Sequence, residues 1–469
     1  MKNNLYTISL LLLLICLNFS VTAKNKTSTL DQSLRELVQQ QKLTGVPKTK
    51  SAIPLIHSPI AQLGMQLFYS KALGGEKDTA CVSCHHPLLG GGDNLSLPIG
   101  THAQKPDVVG IKRRLKKGYH LGVPRNAPTT FNVIFYNKSL FHDGRVQTVT
   151  NQRFVGINTP DVPFEEDDPL GGENLAQAQA RFPITSSAEM RGDFMPEAGT
   201  ETLRRSLAKR FKENWLEAFR YGFSDPQGNV DDLITEQNIS FAIGEYERSQ
   251  VFIKNPWRKY LDGDNNAIST GAKKGALLFF KTQDKGGANC NRCHSGDFFT
   301  DELFHNTAIP QIGIGQGEGV TKTNDFGHGS VTNKADDKFR FRTPTLLNVE
   351  VTGPWGHDGA YTTLEGIVRH MLSPLKSIQR YNKKQLKQKN IQLKDMQKNT
   401  LEAAKYGLEL NTIKNISRTD VKNLVLFLQT LTDPCVKSRK CLSPWIPNKT
   451  DNDPDGLMLH AIIKGRGNK

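Results

Sequence analysis

The sequence predicts a mainly α-helical chain built as two domains in tandem, with long loops between the helices. Two observations predict this. A block of about eighty residues recurs in the second half, and each copy carries the pattern Cys-x-x-Cys-His. Apolar residues at helical spacing lie before and well after each copy, and alternating strand patterns are scarce.

The chain has 469 residues and a formal charge of +15, with 37% hydrophobic and 8% aromatic residues, enough for ordinary globular cores. That length accommodates two or three domains. The positive charge admits a nucleic-acid, membrane or acidic-protein partner. No nucleic-acid motif accompanies it. The basic runs at residues 112–117 and 383–389 read as solvated faces or as a docking surface for an acidic electron donor. Lys2, an apolar run over residues 8–17 and the small residues Val21-Thr22-Ala23 predict a signal peptide at 1–23, removed on export to the periplasm. Ile15 before Cys16 argues against lipoprotein processing. No other stretch approaches the ~18 apolar residues of a membrane span.

Cysteine spacing carries the chemistry. Apart from Cys16, the cysteines form three pairs: Cys81/Cys84, Cys290/Cys293 and Cys435/Cys441. His85 and His294 follow the first two pairs directly. Two thiols at this spacing can add to the two vinyl groups of one porphyrin, while the next residue sets an imidazole under the iron. Two covalently bound haem c groups are therefore expected. A closed zinc site would need four ligands, and neither motif has a second Cys/His pair beside it. In an exported chain Cys435 and Cys441 are expected to form a disulfide.

The repeat can be followed in detail. Gly64-Met65-Gln66-Leu67-Phe68-Tyr69 and Gly74-Gly75 precede the first motif; Gly275-Ala276-Leu277-Leu278-Phe279-Phe280 and Gly286-Gly287 precede the second. Each reads as an amphipathic helix followed by a glycine loop. Ser58-Pro59 supplies an N-cap and first-turn proline, and Ser269 or Thr270 caps the second helix. Downstream, Pro128-Thr129-Thr130-Phe131-Asn132-Val133 and His142-Asp143-Gly144 answer to Pro344-Thr345-Leu346-Leu347-Asn348-Val349 and His357-Asp358-Gly359. Residues 239–251 and 421–431 are expected to form the helix that closes each half. This gives two cytochrome c-like haem domains in tandem with long loops, at 24–253 and 254–445, and a loosely ordered tail at 446–469. Residues 161–173 and 311–328 read as loops. The glycines of the latter lack the strand–turn–helix setting of a phosphate site.

These motifs, with Gly91-Gly92-Asp93-Asn94, Arg125-Asn126-Ala127-Pro128, Phe141-His142-Asp143-Gly144-Arg145 and Pro183-Ile184 before Glu189-Met190, resemble the bacterial di-haem cytochrome c peroxidases, a family that includes the MauG-type enzymes. The resemblance spans roughly residues 54–434. It implies that the haem at His85 reacts with hydrogen peroxide, with Glu189 as distal acid and Phe141 and Gln152 beside it. It implies that the haem at His294 receives electrons from a small periplasmic cytochrome c or cupredoxin, and that Met371 is its second ligand. His370 is the neighbouring rival. A second, leaving histidine on the first haem matches His102, with His120 as rival and no endogenous ligand as a third reading. A calcium ion between the haems matches Asn126, Thr352 and Pro354. The family's usual inter-haem tryptophan is replaced by His142, which leaves the electron route open; a homodimer also stays open. Peroxide reduction to water is the leading reading. The alternatives are MauG-like oxidation of a protein or organic substrate through high-valent haem, and a non-catalytic electron carrier or sensor.

Overall fold

A computed structural model describes residues 29–150 and 155–463. The expected signal peptide and Gln152 lie outside the described residues. The fold is mainly α, with short sheets and long connecting loops. No helix among the described residues is long and apolar enough to cross a membrane.

Two hydrophobic cores organise the chain. In the first, helix Pro59–Tyr69 crosses helix Glu236–Arg248. In the second, helix Thr270–Phe280 crosses helix Arg418–Gln429. Glycine makes both crossings close. A Cβ on Gly64 would lie 1.8 Å from the Ala242 carbonyl oxygen, and one on Gly275 would lie 1.9 Å from that of Asn423. Aromatic contacts repeat as well: Phe68 meets Tyr246 at 4.9 Å between ring centres, and Phe279 meets Phe427 at 5.1 Å.

Both closing helices start three residues earlier than their apolar period suggests. Thr235 accepts a hydrogen bond from the Asn238 N–H, and Ser417 and Asp420 form a capping box. Each polar first turn is thus stabilised by its cap rather than by burial. Ser269, not Thr270, caps the helix before the second Cys-x-x-Cys-His.

The segment after each closing helix is gripped by an asparagine of the same half. Asn132 and Asn348 both adopt left-handed backbone, at φ 63° and 65°. Their backbone N–H groups donate to the carbonyls of Gln250 and Leu431, and their side-chain oxygens accept from Phe252 and Asp433. The side-chain amides of both asparagines donate to one carbonyl, that of Phe252. The two halves therefore meet at the residue between them.

The chain ends depart from the expected boundaries. Helix Thr29–Gln40 packs on the second core through Leu34, and Asp31 pairs with Lys273 at 2.7 Å. The tail is not loose as far as residue 463. Met458 and Leu459 are buried in the first core, the Leu459 N–H donates to the Tyr69 carbonyl, and Ile462–Ile463 pairs in parallel with Val108–Val109. An amphipathic helix and a short apolar strand each need an apolar partner, and each finds it in the other half. Cys435 and Cys441 are disulfide-bonded.

Candidate functional site

Each Cys-x-x-Cys-His loop forms a short 3-10 turn that presents its thiols and imidazole to a cavity. The first cavity, about 730 Å³, is lined by Cys81, Cys84, His85, Phe141, Arg145 and Glu189 among others. The second, about 340 Å³, is lined by Cys290, Cys293, His294, Trp355 and Met371 among others. Asn126, Phe141 and His142 line both, so the two cavities adjoin.

The donor sets fit covalently bound haem. None of the four thiols is in a disulfide. Burial pushes the Cys81 and Cys290 thiols up to about 12, so neither is a reactive thiolate on its own. His85 Nδ1 donates to the Gly91 carbonyl at 3.2 Å, and His294 Nδ1 donates to the Phe299 carbonyl at 3.1 Å. Each bond fixes the tautomer that leaves Nε2 with a free lone pair for iron. Burial lowers the pKa of both imidazoles, favouring the neutral ligand form.

Glu189 sits on a single π-helical turn, Ser187–Arg191, whose backbone is braced from behind. Thr101 donates to the Ser187 carbonyl, and a Cβ on Gly100 would lie 2.2 Å from the Glu189 carbonyl oxygen. Burial raises the Glu189 pKa, against the opposing pull of Arg145 and the Ser186 hydroxyl. Phe141 stands across the wall in left-handed backbone, at φ 65°. Its ring carries the Arg145 guanidinium at 3.6 Å, and its carbonyl accepts from Arg342 of the second half.

A buried ion cluster joins the halves beside this wall. Arg125 bonds Asp325 through two nitrogens, at 2.7 and 2.8 Å, and Asp143 at 2.5 Å. Arg145 also pairs with Asp143. Burial alone would raise the Asp143 pKa; the two guanidiniums instead hold it well below the carboxylate range. Sequence motifs contain Arg125 and Arg145 but give neither a role. The partner Asp325 is 200 residues away and lies in the glycine-rich loop.

His142 occupies the boundary between the cavities. Its Nε2 donates to the Asn126 carbonyl at 3.0 Å, and burial with Arg125 nearby lowers its pKa to about 4. Its repeat counterpart His357 stacks on Phe341 at 3.7 Å.

The remaining expected ligands divide. Met371 lines the second cavity. Its neighbour His370 does not: Nδ1 accepts from the Tyr361 hydroxyl and Nε2 donates to the Thr307 carbonyl, each at 2.8 Å, which occupies both ring nitrogens. Asn126, Thr352 and Pro354 all line the second cavity. The Asn126 amide donates to the carbonyls of Leu95 and Ser96, which leaves its Oδ1 to accept or coordinate. His102 does not line the first cavity. Its ring stacks on Tyr119 at 3.9 Å and its N–H donates to Asp78. His120 is exposed. His85 and His142 are the histidines along that wall among the described residues.

Residues 58–266 match the model of a family described as di-haem cytochrome c peroxidase. The methylamine utilization protein MauG of Methylophilus methylotrophus is 27% identical over 385 residues, covering 82% of this chain and 85% of its own. The cytochrome c551 peroxidase of Pseudomonas aeruginosa is 26% identical over 393 residues, covering 84% and 83%. Among solved structures, a MauG-like protein associated with microbial copper homeostasis superposes with a TM-score of 0.56 at 20% identity, over 85% of this chain and 97% of that one. The diheme peroxidase BthA of Burkholderia thailandensis gives 0.52 at 18%, over 83% and 94%. At these identities the structural likeness concerns the fold.

Proposed function

We propose that the chain, whose residues 58–266 match the di-haem cytochrome c peroxidase family, is an exported peroxidase that reduces hydrogen peroxide to water. The observation that carries this reading is Glu189, braced on the wall of the cavity that Cys81, Cys84 and His85 line.

Cys81, Cys84 and His85 would hold one haem c, and Cys290, Cys293, His294 and Met371 the other. Bound there, the two haems would supply the redox chemistry that peroxide reduction needs. Glu189 takes a proton from one peroxide oxygen and returns it to the other, so that the departing oxygen leaves as water. Burial raises the Glu189 pKa, which makes its carboxyl a better proton acceptor than an exposed one. Phe141 and Arg145 line the same cavity, and the family resemblance adds Gln152, outside the described residues, as a distal residue. Asn126 Oδ1 and the carbonyls of Thr352 and Pro354 are oxygen donors suited to a calcium ion. A small periplasmic cytochrome or copper protein would deliver electrons at the second haem. Ligation of the first haem by His102 would require residues 100–103 to leave Asp78 and Tyr119.

Likeness to proteins named MauG over most of the chain favours a second reading, oxidation of a protein or organic substrate. Met371 weighs against it. A thioether favours ferrous iron and a high potential, which suits electron entry from a mild donor.

The test joins two measurements. Intact mass of the denatured mature protein should show two haem additions. Glu189→Gln should keep both and lose ~10²–10⁴-fold in turnover with peroxide and a reduced cytochrome. Near-normal turnover removes Glu189 from the mechanism, and a mass with fewer than two haems overturns the reading itself.

A further inference from the structure

The superposable helix pairs fix which residues correspond across the halves. Ala242 and Asn423 occupy the same place over the crossing glycines, and Gln250 and Leu431 receive the equivalent asparagine N–H groups. Both registers put Glu247 opposite Leu428. Each is 6% exposed; Glu247 stands where the two cavities adjoin and lines both, whereas Leu428 lines only the second. At the place where the second half has an aliphatic side chain, the first has a carboxyl group.

Nothing among the described residues holds that carboxyl: Glu247 has no ion pair and no hydrogen bond to its side-chain oxygens. Its neighbours on the packed elements are Cys81 from the haem loop and Tyr246 from its own helix. The other acids of the cavity are engaged. Asp143 is held by Arg125 and Arg145, Asp161 by Arg181 and Arg204, and Glu318 by Ser330. Glu189 feels Arg145 and the Ser186 hydroxyl. Adjacent Arg248 is taken by Glu245. Leaving a carboxylate unpaired in such a place is costly, so the group should be neutral unless the cavity offers positive charge.

Resting on the haem assignment above, we propose that Glu247 couples reduction of the first haem to uptake of one proton. In the coupled step one electron from a one-electron donor reduces the ferric iron, and one proton from solvent converts the Glu247 carboxylate to the acid. The physical cause is electrostatic. Ferric iron offers the cavity one more positive charge than ferrous iron, and at low effective dielectric this favours the ionised carboxyl. Burial already pushes the Glu247 pKa up to about 8, into the range where such a shift acts near neutrality. Leu428, at the equivalent place of the second half, offers no titratable group.

Spectroelectrochemical titration of the di-haem protein at several pH values tests this. The potential of the first haem should fall as pH rises through the neutral and mildly alkaline range. Glu247→Gln and Glu247→Leu should flatten that dependence, Glu247→Asp should retain it, and Glu189→Gln should leave it in place. Leu428→Glu should confer a pH-dependent potential on the second haem. An unchanged pH slope in Glu247→Gln, or a shared loss of slope in Glu189→Gln, overturns the proposal. If neither Glu247 variant folds, a pH-independent second haem in Leu428→Glu overturns it. Missing haem by mass would instead overturn the underlying assignment.

Discussion

The two halves share a helix crossing, a haem loop and an asparagine clamp, yet the cavities behind these parts face inward with different chemistry. Glycine at the crossing, the Nδ1-to-carbonyl bond of the axial histidine and the left-handed asparagine are matched pair by pair. The first cavity adds Glu189 and Arg145; the second presents Leu428, Met371 and Trp355, and Glu247 stands where the two adjoin. The frame sets where a haem can be held, and the residues the frame does not use decide what it does. A polar, titratable wall suits proton-coupled chemistry, and an aliphatic and thioether wall suits electron storage.

Breaking the joint between the halves should have the largest effect. Arg125→Met leaves Asp325 without its buried ion partner and Asp143 with Arg145 alone, and loss of a buried partner costs about 3–5 kcal/mol. Chemical denaturation should show it, and a loss below 1 kcal/mol would mean the halves are held mainly elsewhere. The crossings come next. Gly64→Ala and Gly275→Ala each push a methyl group into a backbone carbonyl, and each should cost about 3 kcal/mol. Equal losses in thermal unfolding sharpen the equivalence of the halves, whereas a neutral change in one breaks it.

A smaller effect separates the two asparagines. Asn132→Ala and Asn348→Ala should each cost about 1–3 kcal/mol by stranding buried backbone groups. The Asn132 variant should also free the Phe252 N–H, which amide exchange there would register, whereas the Asn348 variant removes only a bond to the Phe252 carbonyl.

The smallest effect concerns acid. His142 and His357 have pKa values lowered by burial to about 4 and about 3. Their stability contribution is complete above the unfolded value of about 6.5 and falls as pH drops below it, because the unfolded chain then binds the protons. The loss stops growing only near the folded values. His142→Gln should make the melting temperature less sensitive to pH between about 7 and 5; an unchanged pH dependence would place the sensitivity elsewhere.

By itself the sequence determined the mainly α class, the internal repeat and both Cys-x-x-Cys-His loops, while Glu189 and Met371 are singled out only by the resemblance to a family. Such features are local: a spacing, a period or a motif expresses chemistry within a few residues. The closing helices were legible in type but not at their starts, because a cap stabilises a polar turn that carries no apolar period. The tertiary structure alone decided that the N-terminal helix packs on the second half and the tail on the first, since an apolar face does not encode which partner covers it. It also separated Met371, which lines the second cavity, from His370, whose two nitrogens are occupied by Tyr361 and Thr307. The same holds for Arg125 and Asp325, 200 residues apart, and for Glu247, which reads along the chain as one more charge on a helix. Burial and unpaired polar atoms are properties of the assembled cavity, and only folding brings them into being.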